Sequence, residues 1–289
     1  MYDDGGTIRT ETGRAVAYAQ TGRPDGLPLF YLHGLPGTRW DFHRPFNAEA
    51  LVGSGVRMIG IDRPGLGESD YQPKRRYGDW PSDLVAVADH LGLQRFGLLA
   101  YSAGGPYAIA CALALPDRLT SVAIVSGVGP AEMPAFYDGM GRSDAIMSRL
   151  SRWSPALTRL AISRSCRLTR EQPEKFSAEF DNELSQADRA LHANPGMRQM
   201  IRDLVTESTR HGPRGVAEEY RICGSPSGLD YASVRIPIRL WHGDADAMVP
   251  LHHAHHVANT VPCAELVVMP GVGHLHTAAR WHQIIAAAT

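Results

Sequence analysis

Three short stretches carry side chains that could do acyl-transfer chemistry together. Ser102 lies in AYSAGG (100–105), Asp246 in WHGDADAMVP (241–250) and His274 in PGVGHLHTA (270–278). A serine hydroxyl is a weak nucleophile until a base takes its proton, an acid orients that base, and donors receive the charge that develops on the attacked carbonyl. Imidazole suits the first task and a carboxylate the second. Two neighbours compete for these roles: Asp244 shares a stretch with Asp246, and His276 follows His274 by two residues. The small residues of GVG let their loop reach inward and favour His274.

Each stretch follows a β-rich run. The runs are LPLFYLHG (27–34), VRMIGIDRPG (56–65), RFGLLAYS (95–102), TSVAIVSG (120–127), IPIRLWHGD (236–244) and AELVVMPG (264–271). Near-continuous apolar runs of this length predict parallel strands buried on both faces. Helical patterns alternate with them. Leu84, Val87, Ala88 and Leu91 recur at helical spacing over 77–93, with Ser82 or Asp79 as N-cap, and further helices are expected over 103–115, 250–261 and 275–288. The alternation predicts an α/β fold built on a doubly wound, mostly parallel sheet, with antiparallel edge strands near 7–10 and 15–20. Ser102 then sits at a sharp strand-to-helix turn above the sheet edge, over the positive end of a helix dipole. Ala100 stands where such turns usually carry glycine, at the cost of one methyl. Asp246 and His274 fall in loops at the carboxyl edge of later strands, where open α/β sheets build their sites. LHGLPG (32–37) follows an earlier strand, and the backbone N–H groups of Leu35 and Ala103 are the expected oxyanion donors.

The alternation stops between about Pro130 and Tyr231. Helical patterns replace it: Ile146, Leu150 and Trp153; Leu157 and Leu160 after Ser154-Pro155; Phe176, Phe180, Leu184, Ala187 and Leu191; Met197, Met200, Ile201 and Leu204; Val216 with Tyr220. The expected organisation is an α/β core over 1–129 and 232–289, interrupted by an all-helical cap over 130–231. Met133, Phe136, Tyr137, Met140, Met147 and Trp153 are candidates for an apolar substrate pocket over Ser102, with most of them needed as cap core. The locally basic run from Arg142 to Arg170 reads as a solvated helix face, with guidance of an acidic substrate or partner as the alternative.

With 289 residues and a formal net charge of −1, the chain can bury a large core and carries no global field for nucleic acid or an anionic membrane. The acidic start MYDDGGTIRT is unlike a secretory signal, and no apolar run reaches spanning length, so a cytoplasmic protein without a membrane partner is expected. Cys111, Cys166, Cys223 and Cys263 form no CxxC pair, which predicts reduced thiols and no structural zinc. HHAHH (252–256) has spacing compatible with a metal but no accompanying carboxylate or cysteine motif, and reads as a surface helix. Asp62 is assigned a structural turn, His33 the shaping of the oxyanion turn, and His242 a similar structural task.

Taken in order, HGLPG, DRPGLGESD, YSAGG, HGDADAMVP and GVGH resemble the α/β-hydrolase superfamily over nearly the whole chain. The resemblance is to helical-capped members such as proline iminopeptidases, small-molecule esterases and carbon–carbon bond hydrolases. It implies a covalent acyl-enzyme on Ser102, with His274 as base, no cofactor and a small-molecule substrate. The family pattern HGxxDxxVP places the acid at Asp246 rather than Asp244. Two departures stand out: the elbow lacks its first glycine, and HGLPG replaces the HGGPG of proline iminopeptidases, which points away from peptidase activity. The same pocket would also serve a cyclase, a lyase or a carbon–carbon bond hydrolase, and the fold is also used by non-catalytic ligand receptors.

Overall fold

The computed structural model describes residues 2–275 and 280–288. Eight strands form one sheet: β1 (Tyr2–Arg9), β2 (Ala15–Gly22), β3 (Leu27–Leu32), β4 (Val56–Ile61), β5 (Phe96–Tyr101), β6 (Leu119–Val125), β7 (Ile238–Gly243) and β8 (Ala264–Met269). Their spatial order is β1-β2-β4-β3-β5-β6-β7-β8. The β1–β2 and β2–β4 pairs are antiparallel and the rest parallel. The central strands are buried on both faces, as their unbroken apolar sequences require.

Helices cover both sides of the sheet. α1 (Pro45–Ala48), α2 (Trp80–His90) and α3 (Gly105–Ala114) precede β6. α4 (Arg142–Trp153), α5 (Pro155–Glu171), α6 (Pro173–Asp181), α7 (Gln186–His192), α8 (Pro195–Ser208) and α9 (Arg214–Cys223) lie between β6 and β7. α10 (His252–Thr260) joins β7 to β8, and α11 (Trp281–Ala288) follows β8. Leu84, Val87 and Ala88 of α2 join Tyr107, Ala108 and Ile109 of α3 in the larger core, whereas Trp281, Ile284 and Ile285 of α11 pack on the opposite face against Tyr31, Met58 and Leu99. Asp79 does occupy the N-cap position of α2, but its side chain makes no capping bond and instead accepts from the Arg76 N–H.

The helical insertion corrects one expectation. α4 forms where the sequence places it, yet it buries Ala145, Ser148 and Ser151 and leaves Ile146 and Trp153 50% and 88% exposed. Small side chains let its backbone approach α9 closely: a Cβ on Gly224 would lie 2.6 Å from the Ser148 carbonyl oxygen. α5 follows suit, burying Thr158, Ile162 and Cys166 while Leu157 and Leu160 face outward. α10 also differs from a simple surface helix, since His253 is fully buried and its Nδ1 accepts the Gly129 N–H at 3.1 Å. Cys111, Cys166 and Cys223 are buried free thiols, and Cys263 is an exposed one. No helix among the described residues is long and apolar enough to cross a membrane.

Candidate active site

Ser102 occupies the first residue after β5 with φ +53°, a backbone conformation costly for a residue with a Cβ. A single 3₁₀ turn, Ser102–Gly104, then runs into α3. The crossing is close. A Cβ on Gly104 would overlap the Leu32 carbonyl oxygen, so only glycine lets the turn pass over the end of β3. Ala100 is fully buried in the same cluster as Tyr107 and Ala108 of α3, and its single methyl is accommodated there.

The loop after β8 brings His274 over this turn. Its Nε2 lies 3.1 Å from Ser102 Oγ, and its Nδ1 lies 2.7 Å from Asp246 Oδ2. Asp246 is held from behind: its Oδ1 accepts the Met248 and Val249 N–H groups at 3.0 and 2.8 Å. With Nδ1–H donating to the carboxylate, Nε2 is left to accept the serine proton. Burial pushes Asp246 toward the neutral acid, but the charge and hydrogen bond of His274, with His242 and the Val249 N–H, hold it below the usual carboxylate range. For His274, burial favours the neutral ring, yet Asp246 first, then Asp188 and Asp144, raise it above its ordinary value of 6.5. The imidazolium is therefore stabilised where a proton would arrive. Asp244 stands apart, accepting the Gly271 N–H at 2.7 Å. His276 lies outside the described residues.

Leu35 and Ala103 border the same space as Ser102, so the structure brings both expected donor residues to the serine. The Leu35 turn is fixed from below by residues the sequence reading missed. Arg63, fully buried, donates to the His33 and Gly34 carbonyls and pairs with Glu219 of α9 at 2.9 Å. Arg75 reaches the other Glu219 oxygen and donates to Tyr107 at 2.6 Å. Burial would raise Glu219, but the two guanidinium groups outweigh it and hold the carboxyl at about 2. One signal was available: Glu219 sits three residues after Val216 and one before Tyr220, on the apolar side of its helix. His33 Nδ1 meets the Gly34 carbonyl at 2.9 Å, and Asp62 accepts the Arg39 N–H and pairs with its guanidinium. His242 Nε2 meets the Val249 carbonyl at 2.7 Å.

Above Ser102 and His274 opens a cavity of about 230 Å³, walled by Phe176, Phe180, Ile201, Leu204 and Met248 among others. Asp144 and Tyr220, joined by a 2.8 Å hydrogen bond, face it, as do Glu179 and Glu183. Of the six pocket candidates, Phe136 and Met140 border the smaller recess beside Ser102. The other four do not line either space. Met133 packs against Gly129, Tyr137 lies under Arg149, Met147 fills the contact with Leu66 and Ile162, and Trp153 points to solvent. For Met147 and Trp153 the cause is the rotation of α4 described above, which turns its apolar edge away from the site, whereas Met133 and Tyr137 lie in the segment before that helix. The true lining comes from α6 and α8, whose aromatic and aliphatic residues looked like ordinary helix core in sequence.

A sequence model of the α/β hydrolase fold matches residues 28–276. The chain belongs to the α/β-hydrolase family. It is 25% identical over 268 residues to the dihydrolipoyllysine-residue acetyltransferase component of the acetoin cleaving system of Pseudomonas putida, a match covering 91% of this chain and 62% of that one. It is 34% identical over 131 residues to a 2-hydroxy-6-oxononadienedioate/2-hydroxy-6-oxononatrienedioate hydrolase of Burkholderia vietnamiensis, covering 44% and 43%. The α/β-hydrolase architecture also superposes on a thermophilic esterase from Thermogutta terrifontis with a TM-score of 0.70, at 24% identity and 98% and 96% coverage. The chain thus spans about three fifths or less of the two curated relatives, whose named activities differ.

Proposed function

We propose that this α/β hydrolase is a serine esterase acting on a small carbonyl substrate through an acyl-enzyme, with the insertion between β6 and β7 serving as its cap. The observation that carries the reading is the relay at the cavity floor, in which Asp246, His274 and Ser102 are joined at 2.7 and 3.1 Å. Ser102 Oγ attacks the substrate carbonyl carbon as His274 Nε2 takes its proton. The oxygen that gains the charge is received by the N–H groups of Leu35 and Ala103. Collapse expels the alcohol, which takes the proton back from His274. Water, deprotonated by the same imidazole, then cleaves the acyl-serine.

The cavity lining supports ester cleavage over the carbon–carbon hydrolysis of dicarboxylates named for one relative. Among the described residues that wall it there is no lysine or arginine, while Asp144, Glu179 and Glu183 face inward. A substrate with free carboxylates would bring negative charge beside Asp144, Glu179 and Glu183, of which, among the described residues, only Glu179 pairs with a cation, Arg164 at 4.0 Å. Neutral or cationic esters fit.

A fluorophosphonate probe tests the reading. It should label the wild-type chain once, at Ser102 by peptide mass, and leave Ser102→Ala unlabelled with an unchanged melting temperature. Equal labelling of both proteins would exclude the acyl-serine. A panel pairing neutral, cationic and anionic esters of one alcohol should rank the anionic member last, and a preference for it would overturn the substrate class.

A further inference from the structure

The loop that carries His274 is gripped by the insertion. Asp188, on the first turn of α7, is fully buried, and its Oδ2 accepts the His274 backbone N–H at 2.8 Å. The carboxylate is itself fixed: Ser185 Oγ donates to Oδ2 at 3.0 Å and accepts the Asp188 N–H at 3.2 Å. The fit is also close at the residue before His274. A Cβ on Gly273 would overlap the Asp188 carboxyl carbon and both of its oxygens, so glycine before the histidine makes room for this one side chain. On the other side of the same residue, Tyr101 Oη, adjacent to Ser102, donates to the His274 carbonyl at 3.0 Å. The peptide groups flanking the imidazole are therefore held from both ends, one from the sheet and one from the insertion.

We propose that Asp188 is a positioning residue of the reaction, through which the helical insertion holds the His274 loop where its imidazole reaches Ser102. The proposal rests on the reading of Ser102 and His274 as nucleophile and base. Without a neighbouring acceptor the His274 N–H would be buried and unsatisfied, and the loop would shift to satisfy it. A displacement of about 1 Å between base and nucleophile is enough to lower the rate about a hundredfold. The carboxylate also adds its charge to the groups around the ring: Asp246 and His242 from β7 and its loop, Asp144 from α4, and Asp188 from α7. Removing one of three negative charges lowers the affinity of the imidazole for its proton.

The test compares Asp188→Asn and Asp188→Ala in the full chain, by turnover of p-nitrophenyl butyrate and by NMR titration of the His274 ring. Asp188→Asn keeps an acceptor but loses the charge. It should retain kcat within about tenfold and shift the His274 midpoint downward, with the acid limb of kcat/KM moving to lower pH alongside it. Asp188→Ala should lose about a hundredfold in kcat with KM changed by less than about threefold. In the double variant Asp188→Ala/Gly273→Ala, the losses should be far from additive, because the two sites share one volume. A folded Asp188→Ala variant with wild-type kcat would overturn the proposal, and where that variant fails to fold, an Asp188→Asn variant with both wild-type kcat and an unmoved midpoint would do so. Labelling of wild-type Ser102 separates the two claims, since the NMR midpoint reports on Asp188 whether or not the serine is acylated.

Discussion

α3, behind Ser102, and α4, in the insertion, bury opposite kinds of face. α3 hides eight of its ten residues, from Gly105 to Ala112, and packs Tyr107, Ala108 and Ile109 into the main core. α4 hides Ala145, Ser148 and Ser151 and turns Ile146 and Trp153 outward. Where a helix backs the nucleophile, close packing of bulk fixes a backbone held at an unfavourable φ. In the insertion, small and polar residues bring backbones together and leave carboxylates free to reach the site. The first region is fixed by the main core, whereas the insertion adds to its own smaller clusters, such as Phe176 with Met197 and Ile201, individual ion pairs and hydrogen bonds to the core.

The largest effect expected from this contrast lies in the relay anchored to the sheet. Asp246→Asn should lower kcat by about 10³ to 10⁴-fold, as the amide no longer selects the reactive tautomer, whereas Asp244→Asn should leave the rate nearly unchanged. The reverse ranking in steady-state kinetics would move the acid to the other aspartate. The insertion's counterpart is Glu219→Gln, which strands Arg63 and Arg75 as buried charges and should cost about 3–5 kcal/mol in urea unfolding. The sign of its pH dependence follows from a folded-state value near 2, below the ordinary 4.5: the stability Glu219 contributes is fully present above about pH 4.5 and is lost as pH falls toward 2. A Glu219→Gln chain whose stability below pH 4.5 runs parallel to wild type would refute that assignment.

Smaller effects probe packing. Ala100→Val adds two methyl groups beneath the elbow and should cost roughly 1–3 kcal/mol, with activity falling further than stability because Ser102 Oγ is displaced. Ala100→Gly should keep activity within about tenfold, since it removes only a methyl from the turn and touches no catalytic group. Unimpaired turnover with valine would mean that the turn is not tight. Least of all should follow from Trp153→Ser, within about 0.5 kcal/mol by thermal melts, for a residue that would have been a costly loss had α4 packed by its apolar face.

The sheet was legible because period and length agree: six apolar runs became β3 to β8, and the two alternating segments became β1 and β2. The elbow could be read from Ser102 with Gly104, and the relay partners from their places after β7 and β8. What escaped were features set by relative helix rotation. Periodicity in 142–153 identifies a helix, but nothing local says that Ser148 rather than Trp153 meets its neighbour. Asp188 looks like a solvated charge, and Glu219 shows only its place on the apolar side of a helix, until the fold puts an N–H or a guanidinium beside them. Tertiary partners, not spacing, decide such residues.

Glu219 and Asp188 also set terms for protein engineering. Exchanging the helical insertion for that of another family member is an attractive way to change what such an enzyme accepts. Here, however, the segment that shapes the cavity also supplies the counter-ion for two core arginines and the acceptor for the loop of the base. A donor segment chosen only for its pocket would arrive without either carboxylate. A workable chimera has to graft residues at 188 and 219 along with the new walls, or redesign Arg63, Arg75 and Gly273 in the recipient at the same time.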